Sequence, residues 1–199
     1  MQISSVNTLA IPTAINCMIP PDYVKVHALQ VTVDGEQATL TRFEREDGHN
    51  CGLGGEHFSV VVSKTGLLKG FAHLGLAYSS GILPSRERAQ EIALNFLHES
   101  APDLLLRMKI HWINPHDEAF CVIRNGRPER ITLTGMKVKV KNTGDGRWFW
   151  VIVGPNERVT VFERDIVWVT FPGRRRTEKW LHDQWLAEHS QQILGAKRI

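Results

Sequence analysis

The densest concentration of reactive side chains is His49-Asn50-Cys51-Gly52-Leu53-Gly54-Gly55-Glu56-His57. A cysteine beside a histidine can act as a thiolate nucleophile, and nearby glycine N–H groups can hold an oxyanion. His57 is the better partner, because Gly54-Gly55 lets the chain fold back on Cys51. The same run offers zinc the Cys51 sulfur and nitrogens from His49 and His57, with Glu56 as a fourth ligand or a base. Neither spacing matches a specific signature. A glycine loop with solvated histidines and a packed thiol explains the same residues without chemistry.

Two other histidines stand beside carboxylates. His116-Asp117-Glu118 follows Pro115, and in an extended segment only His116 and Glu118 share a face. As an exposed turn, the three are simply solvated. His182-Asp183 falls on a segment read as helical, where adjacent side chains point apart. A nucleic-acid surface would use Lys137, Lys139, Lys141, Arg147 and Arg174-Arg175-Arg176, with Trp148, Trp150 and Trp168. Basic rows track phosphates while aromatic rings stack bases. Against that reading, Trp148 and Trp150 fall in the most core-like strand, and alternating lysines mark any solvated strand face.

Composition limits the choice. Of 199 residues, 42% are hydrophobic and 23% charged, which excludes a disordered or fibrous chain. The net charge of +3 is too small for a binder driven by bulk electrostatics, whether of nucleic acid or membrane. Area scaling buries roughly 70% of the unfolded surface, enough for a core without metals or disulfides. Cys17, Cys51 and Cys121 are odd in number and dispersed, with no C-x-x-C, as in a reducing cytoplasm. No Lys or Arg precedes Lys25, and Pro12 cuts the run Leu9 to Ile15, so no secretory signal is expected. No apolar run nears the roughly 18 residues of a membrane span. P-loop, dinucleotide, H-E-x-x-H, EF-hand and G-x-S-x-G motifs are missing, and no cofactor is expected.

The elements that must position these groups follow from pattern. Residues 1–22 end in Pro20-Pro21-Asp22 and read as a lead-in arm. Asp34-Gly35 predicts a two-residue hairpin turn with Val31 opposite Ala38 and Leu29 opposite Leu40. Phe58 to Val62 is a strand. Ser85 caps a helix whose Ala89, Ile92, Ala93, Phe96 and Leu97 form one stripe, stopped near Pro102. Strands return at Lys109–Ile113, about Asn125-Gly126, at Met136–Lys141, at Trp148–Val153 and at Val159–Val169. Pro128 restricts its arm to an edge. The run Trp148 to Val153 is apolar on both faces and reads as a central strand. Thr177 is read as the cap of a C-terminal helix burying Trp180, Leu181 and Trp185. The class is α+β, with antiparallel sheets, one central amphipathic helix and a C-terminal helix. An N-terminal β-rich lobe over 1–82 and a C-terminal α+β lobe over 83–199 either stand apart or merge into one domain.

Phe58-Ser59-Val60-Val61-Val62-Ser63-Lys64-Thr65-Gly66-Leu67-Leu68 resembles the closing strand and T-G turn of a PepSY-like (peptidase-propeptide) domain. Leu83-Pro84-Ser85 through Leu97 resembles the helix opening the next such unit. The resemblance covers residues 58–97. Val159 to Asp165, where a second unit would close, lacks the T-G turn. What it implies is small α+β lobes that act as inhibitory or regulatory binders, with no catalytic residues to carry over.

The expected function is therefore a non-catalytic protein-binding or regulatory module in the cytoplasm. Trp168, Arg174, Arg175, Arg176 and Trp180 are the expected contacts, since Trp and Arg concentrate binding energy. The partner is an unidentified protein, and a homo-oligomer is compatible. The alternatives are a Cys-dependent hydrolase or transferase centred on Cys51 and His57, and a nucleic-acid binder using residues 137–147 and 174–176.

Overall fold

The computed structural model describes residues 10–169, 171 and 173–189. Its frame is one antiparallel sheet of eight strands: β1 (Tyr23–Val33), β2 (Glu36–Arg45), β3 (His57–Ser63), β4 (Leu68–Leu74), β5 (Met108–Arg124), β6 (Arg127–Asn142), β7 (Trp148–Val153) and β8 (Val159–Ile166). The spatial order is β1-β2-β3-β4-β8-β7-β6-β5. Two four-strand meanders thus meet where β4, from the first half, bonds to β8, from the second. A small ribbon, β9 (Trp168–Val169) with β10 (Arg174–Arg175), follows. The helices are α1 (Thr13–Asn16), α2 (Arg86–Ser100) and α3 (Asp183–Glu188). The fold is α+β in composition but largely β. No helix among the described residues is long and apolar enough to cross a membrane.

Local chemistry explains the strongest elements. Asp34 and Gly35 both take positive φ (54° and 81°), and β1 pairs β2 with Val31 opposite Ala38 and Leu29 opposite Leu40. That is the register the turn requires. The Ser85 side chain accepts from the Arg88 amide and opens α2, whose Ala89, Ala93, Phe96 and Leu97 are buried. Phe96 meets Phe71 and Phe162 at centroid distances of 5.7 and 5.2 Å, fixing the helix across the β4–β8 seam. Phe58, Val60, Phe149 and Val151 belong to the same core. The opposite sheet face has its own core of Val31, Leu40, Val61, Trp150, Ile152, Val161, Ile166, Trp180, Leu181 and Leu186. β7 lies between β6 and β8 with apolar cover on both faces, as its unbroken apolar run predicts.

Three expectations need correcting. The lead-in segment is not merely an arm, because Ile15 of α1 is fully buried against α2's core; residues 1–9 of that segment lie outside those described. Strand β5 does not stop at Ile113 but runs through Pro115 to Arg124. It is an edge strand, so the missing Pro115 N–H costs no ladder bond. Pro128 is likewise tolerated, because β7 pairs only with Met136–Lys141 and leaves the distal part of β6 bonded to β5 alone. Thr177 caps no helix. Its Oγ1 accepts from the Val167 amide at 2.7 Å and donates to the Asp165 carbonyl at 3.3 Å, tying the chain to the end of β8. Trp180 and Leu181 reach the core before α3 begins.

Candidate functional site

Alternation along β2 places Arg42 and Glu44 on one sheet face, and the Arg42 side chain is only 1% exposed. Its Nε donates to Glu44 at 2.6 Å, its Nη1 to Asp183 at 2.5 Å, and its Nη2 to the Gly52 carbonyl at 2.9 Å. Asp183 opens α3, so this arginine joins a strand, the glycine loop and the C-terminal helix. The loop's amides are engaged in the same knot. Gly52 N donates to Glu44 at 3.0 Å, Gly54 N donates to Asp183, and Gly55 N donates to the Gly52 carbonyl. These are the N–H groups an oxyanion would need.

The Cys51 thiol donates to the Arg45 carbonyl at 3.3 Å, and burial followed by the Glu44 charge pushes its pKa up. His57 is 1% exposed and binds the Gly55 carbonyl through Nδ1 at 2.9 Å. No hydrogen bond joins it to Cys51 among the described residues. His49 is exposed, and its backbone amide bonds Asp47. His49, Cys51 and His57 are not gathered with a further ligand; among the described residues no group of three or more His, Cys, Asp or Glu is placed to hold a metal. A nucleophile with a raised pKa and committed amides has the chemistry of a structural loop.

Burial pushes the His57 ring down to about 4, helped by Arg42, and burial pushes His73 of β4 to about 4, helped by His57. Both rings therefore fold neutral. As pH falls from 6.5 towards 4, the unfolded chain takes up protons that the folded chain refuses. Stability should fall by up to about 1.4 kcal/mol per pH unit for each ring over that window. Urea midpoints at pH 7 and pH 5 measure this, and His73→Gln should make the profile shallower. Equal midpoints at the two pH values would contradict it.

A second polar group lies on the same sheet face. The distal half of the β5–β6 hairpin curls back to the glycine loop, with Cys121 N donating to the Gly54 carbonyl at 2.6 Å. Beneath it is a small cavity of about 70 Å³ lined by Glu118, Glu163, His182 and Asp183 among others. His116 and Glu118 do share a face, with Nε2 and Oε1 3.1 Å apart. Burial opposes ionisation of Glu163, yet His182 at 3.7 Å and Arg175 at 2.6 Å prevail and hold its pKa at about 2. Burial lowers Lys137 to about 8, and its ammonium stands 3.9 Å over the Trp150 ring. Its face is therefore not simply solvated, as strand alternation alone implied.

Beyond this cluster the face changes character. A bulge between Ile110 and Trp112 brings His111 and Trp112 together on one side of β5. Lys139 on the neighbouring strand has Trp148 at 4.6 Å and Trp112 and Trp168 at 5.5 Å each. Lys141 approaches Trp148 at 5.5 Å, and the His111 ring meets Trp148 edge-on at 5.1 Å. No carboxylate forms an ion pair with Lys139 among the described residues, and its lowered pKa has burial as its cause. Trp168 is 48% exposed.

Of the five expected contacts, Trp168, Arg174 and Arg176 are exposed. Arg175 is bound inward to Glu163, and Trp180 is 5% exposed in the second core. Sequence reasoning passed over Trp112 and His111 altogether. A bulge leaves no signature in the strand pattern, so nothing in the β5 sequence marked them. Among known proteins, no family model, no curated protein and no solved structure matches this chain.

Proposed function

We propose that the protein is a non-catalytic binding module that docks a protein through the Trp112–Trp148–Trp168 face. The observation that carries this reading is Lys139, a cation held among three indole rings with no carboxylate partner among the described residues. Exposed Arg174 and Arg176 extend the same positive, aromatic character next to Trp168. Such a face fits a partner that presents carboxylates beside apolar side chains. Protein carboxylates suit it better than nucleic-acid bases, because Lys139 already stands over one face of the Trp148 ring, where a base would stack. The regulatory role implied by the PepSY-like stretch belongs to the same proposal.

Capture with the tagged chain tests this against Lys139→Glu. The native chain should retain a protein partner after nuclease treatment and release it as salt rises. Lys139→Glu, at a partly buried position, should fold normally and capture at least about tenfold less, the usual scale for a charge reversed in an interface. Retention of nucleic acid alone, equal capture by both chains, or turnover of a substrate panel with no partner would overturn the reading.

A further inference from the structure

Glu56 is 5% exposed, and both carboxylate oxygens are held by neutral donors. The Leu76 amide bonds Oε1 at 2.6 Å and Asn50 Nδ2 bonds Oε2 at 2.7 Å. Asn50 is itself pinned, its Oδ1 accepting from Ile123 N at 2.8 Å. Among the described residues, no cationic side chain forms an ion pair with Glu56. Buried carboxylates are normally matched by a cation, so this one is conspicuous.

Glu56 opens onto a cleft of about 460 Å³ between the start of β1, the end of β4 and the turn Leu76–Tyr78. Tyr23, His73 and Tyr78 line it, with Asp22 and Arg45 also on its wall. His73 stands edge-on to Tyr23 at 5.9 Å and to Tyr78 at 4.8 Å. His73 is 6% exposed; Tyr78 Oη lies 3.1 Å from its Nδ1, and its Nε2 lies beside Gly75. Glu56 Oε1, His73 Nε2 and Tyr23 Oη converge on Gly75, at 3.6, 3.6 and 3.7 Å from the point a Cβ would occupy. Arg45, which also lines the cleft, feels the Glu56 charge but makes its direct ion pairs with Asp47 and Asp22.

We propose that this cleft binds an organic cation, an alkylammonium or guanidinium group, with Glu56 as counter-ion and Tyr23, His73 and Tyr78 as its walls. Aromatic rings attract such cations through their negative faces, and a desolvated carboxylate adds direct charge pairing. With its proton on Nδ1, shared with Tyr78 Oη, His73 offers Nε2 as an acceptor to the ligand's N–H. The ring is neutral at pH 7 and does not repel the charge. The cation belongs either to a free amine or to a Lys or Arg side chain of another protein.

The test is an NMR titration of the ¹⁵N-labelled full chain with n-butylammonium and n-butylguanidinium chloride, with sodium butyrate and n-butanol as controls. Blocked Gly-Lys-Gly and Gly-Arg-Gly peptides form a second arm that separates side-chain from free-amine recognition. Saturable shifts of the Gly75 and Leu76 amides are expected with a cation and not with the controls. Glu56→Gln should weaken binding at least about tenfold, as expected when a buried charge pair loses one charge. Gly75→Ala provides the independent variant, because Gly75 has extended backbone (φ −152°) and the new methyl makes only ordinary contacts at the convergence point. It should fold normally and lose the shifts. No saturable shift with any cation or peptide, equal shifts with butyrate, or undiminished binding by Gly75→Ala would overturn the proposal.

Discussion

Arg42→Met should lower stability by about 3–5 kcal/mol, the usual consequence of removing one partner from a buried ion pair. Methionine keeps an apolar stem but ends short of the guanidinium, so the loss is that of the charge together with its hydrogen bonds. Two carboxylates, Glu44 and Asp183, would remain in the interior without their guanidinium, and the Gly52 carbonyl would lose its donor. The glycine loop and α3 would lose their common anchor together, because Asp183 also receives the Gly54 amide. Adding Glu44→Gln and Asp183→Asn should recover part of the loss, since the buried negative charges then disappear. Urea unfolding of the three chains measures this. A single-variant loss below about 1 kcal/mol would show that the knot behaves like a solvated surface pair.

Trp150→Ala should cost about 3–5 kcal/mol, the range for deleting a large aromatic side chain from a core. Trp150 is 6% exposed, faces Ile152 and Trp180 in the second core, and carries Lys137 at 3.9 Å and Arg175 at 5.5 Å on its ring. Trp148, two residues earlier on the same face, is only partly buried and should cost distinctly less. The comparison separates a core tryptophan from one that borders the surface. A flat denaturation response for Trp150→Ala would remove β7 from the centre of the fold.

The elements were legible wherever a local rule determines the outcome. The Asp34-Gly35 turn set the β1–β2 register, Ser85 and its apolar stripe set α2, and period-two spacing paired His116 with Glu118. What stayed hidden depends on distant partners. Arg42 and Asp183 are 141 positions apart, and nothing local marks either as buried. Lysine alternation gave the correct face for Lys137, but burial of that face comes from the hairpin and C-terminal segment. Thr177 carried a helix-cap signal that two hydrogen bonds to the end of β8 override. Glu56 was readable as a ligand or base, whereas its neutral setting, with Asn50 and Leu76 as donors and no ion-pair partner among the described residues, emerges only in the fold.

The binding role of the Trp168 face is tested most directly by Trp168→Ala, measured for stability and for partner capture on the same preparation. Trp168 is half exposed and belongs to neither buried core, so the urea midpoint should shift by no more than the equivalent of about 0.5 kcal/mol, as for ordinary surface substitutions. Capture of the partner should fall at least about tenfold, because tryptophan anchors dominate such interfaces. An unchanged midpoint with unchanged capture would contradict the assignment of this face. So would a large stability loss, since Trp168 would then belong to the framework.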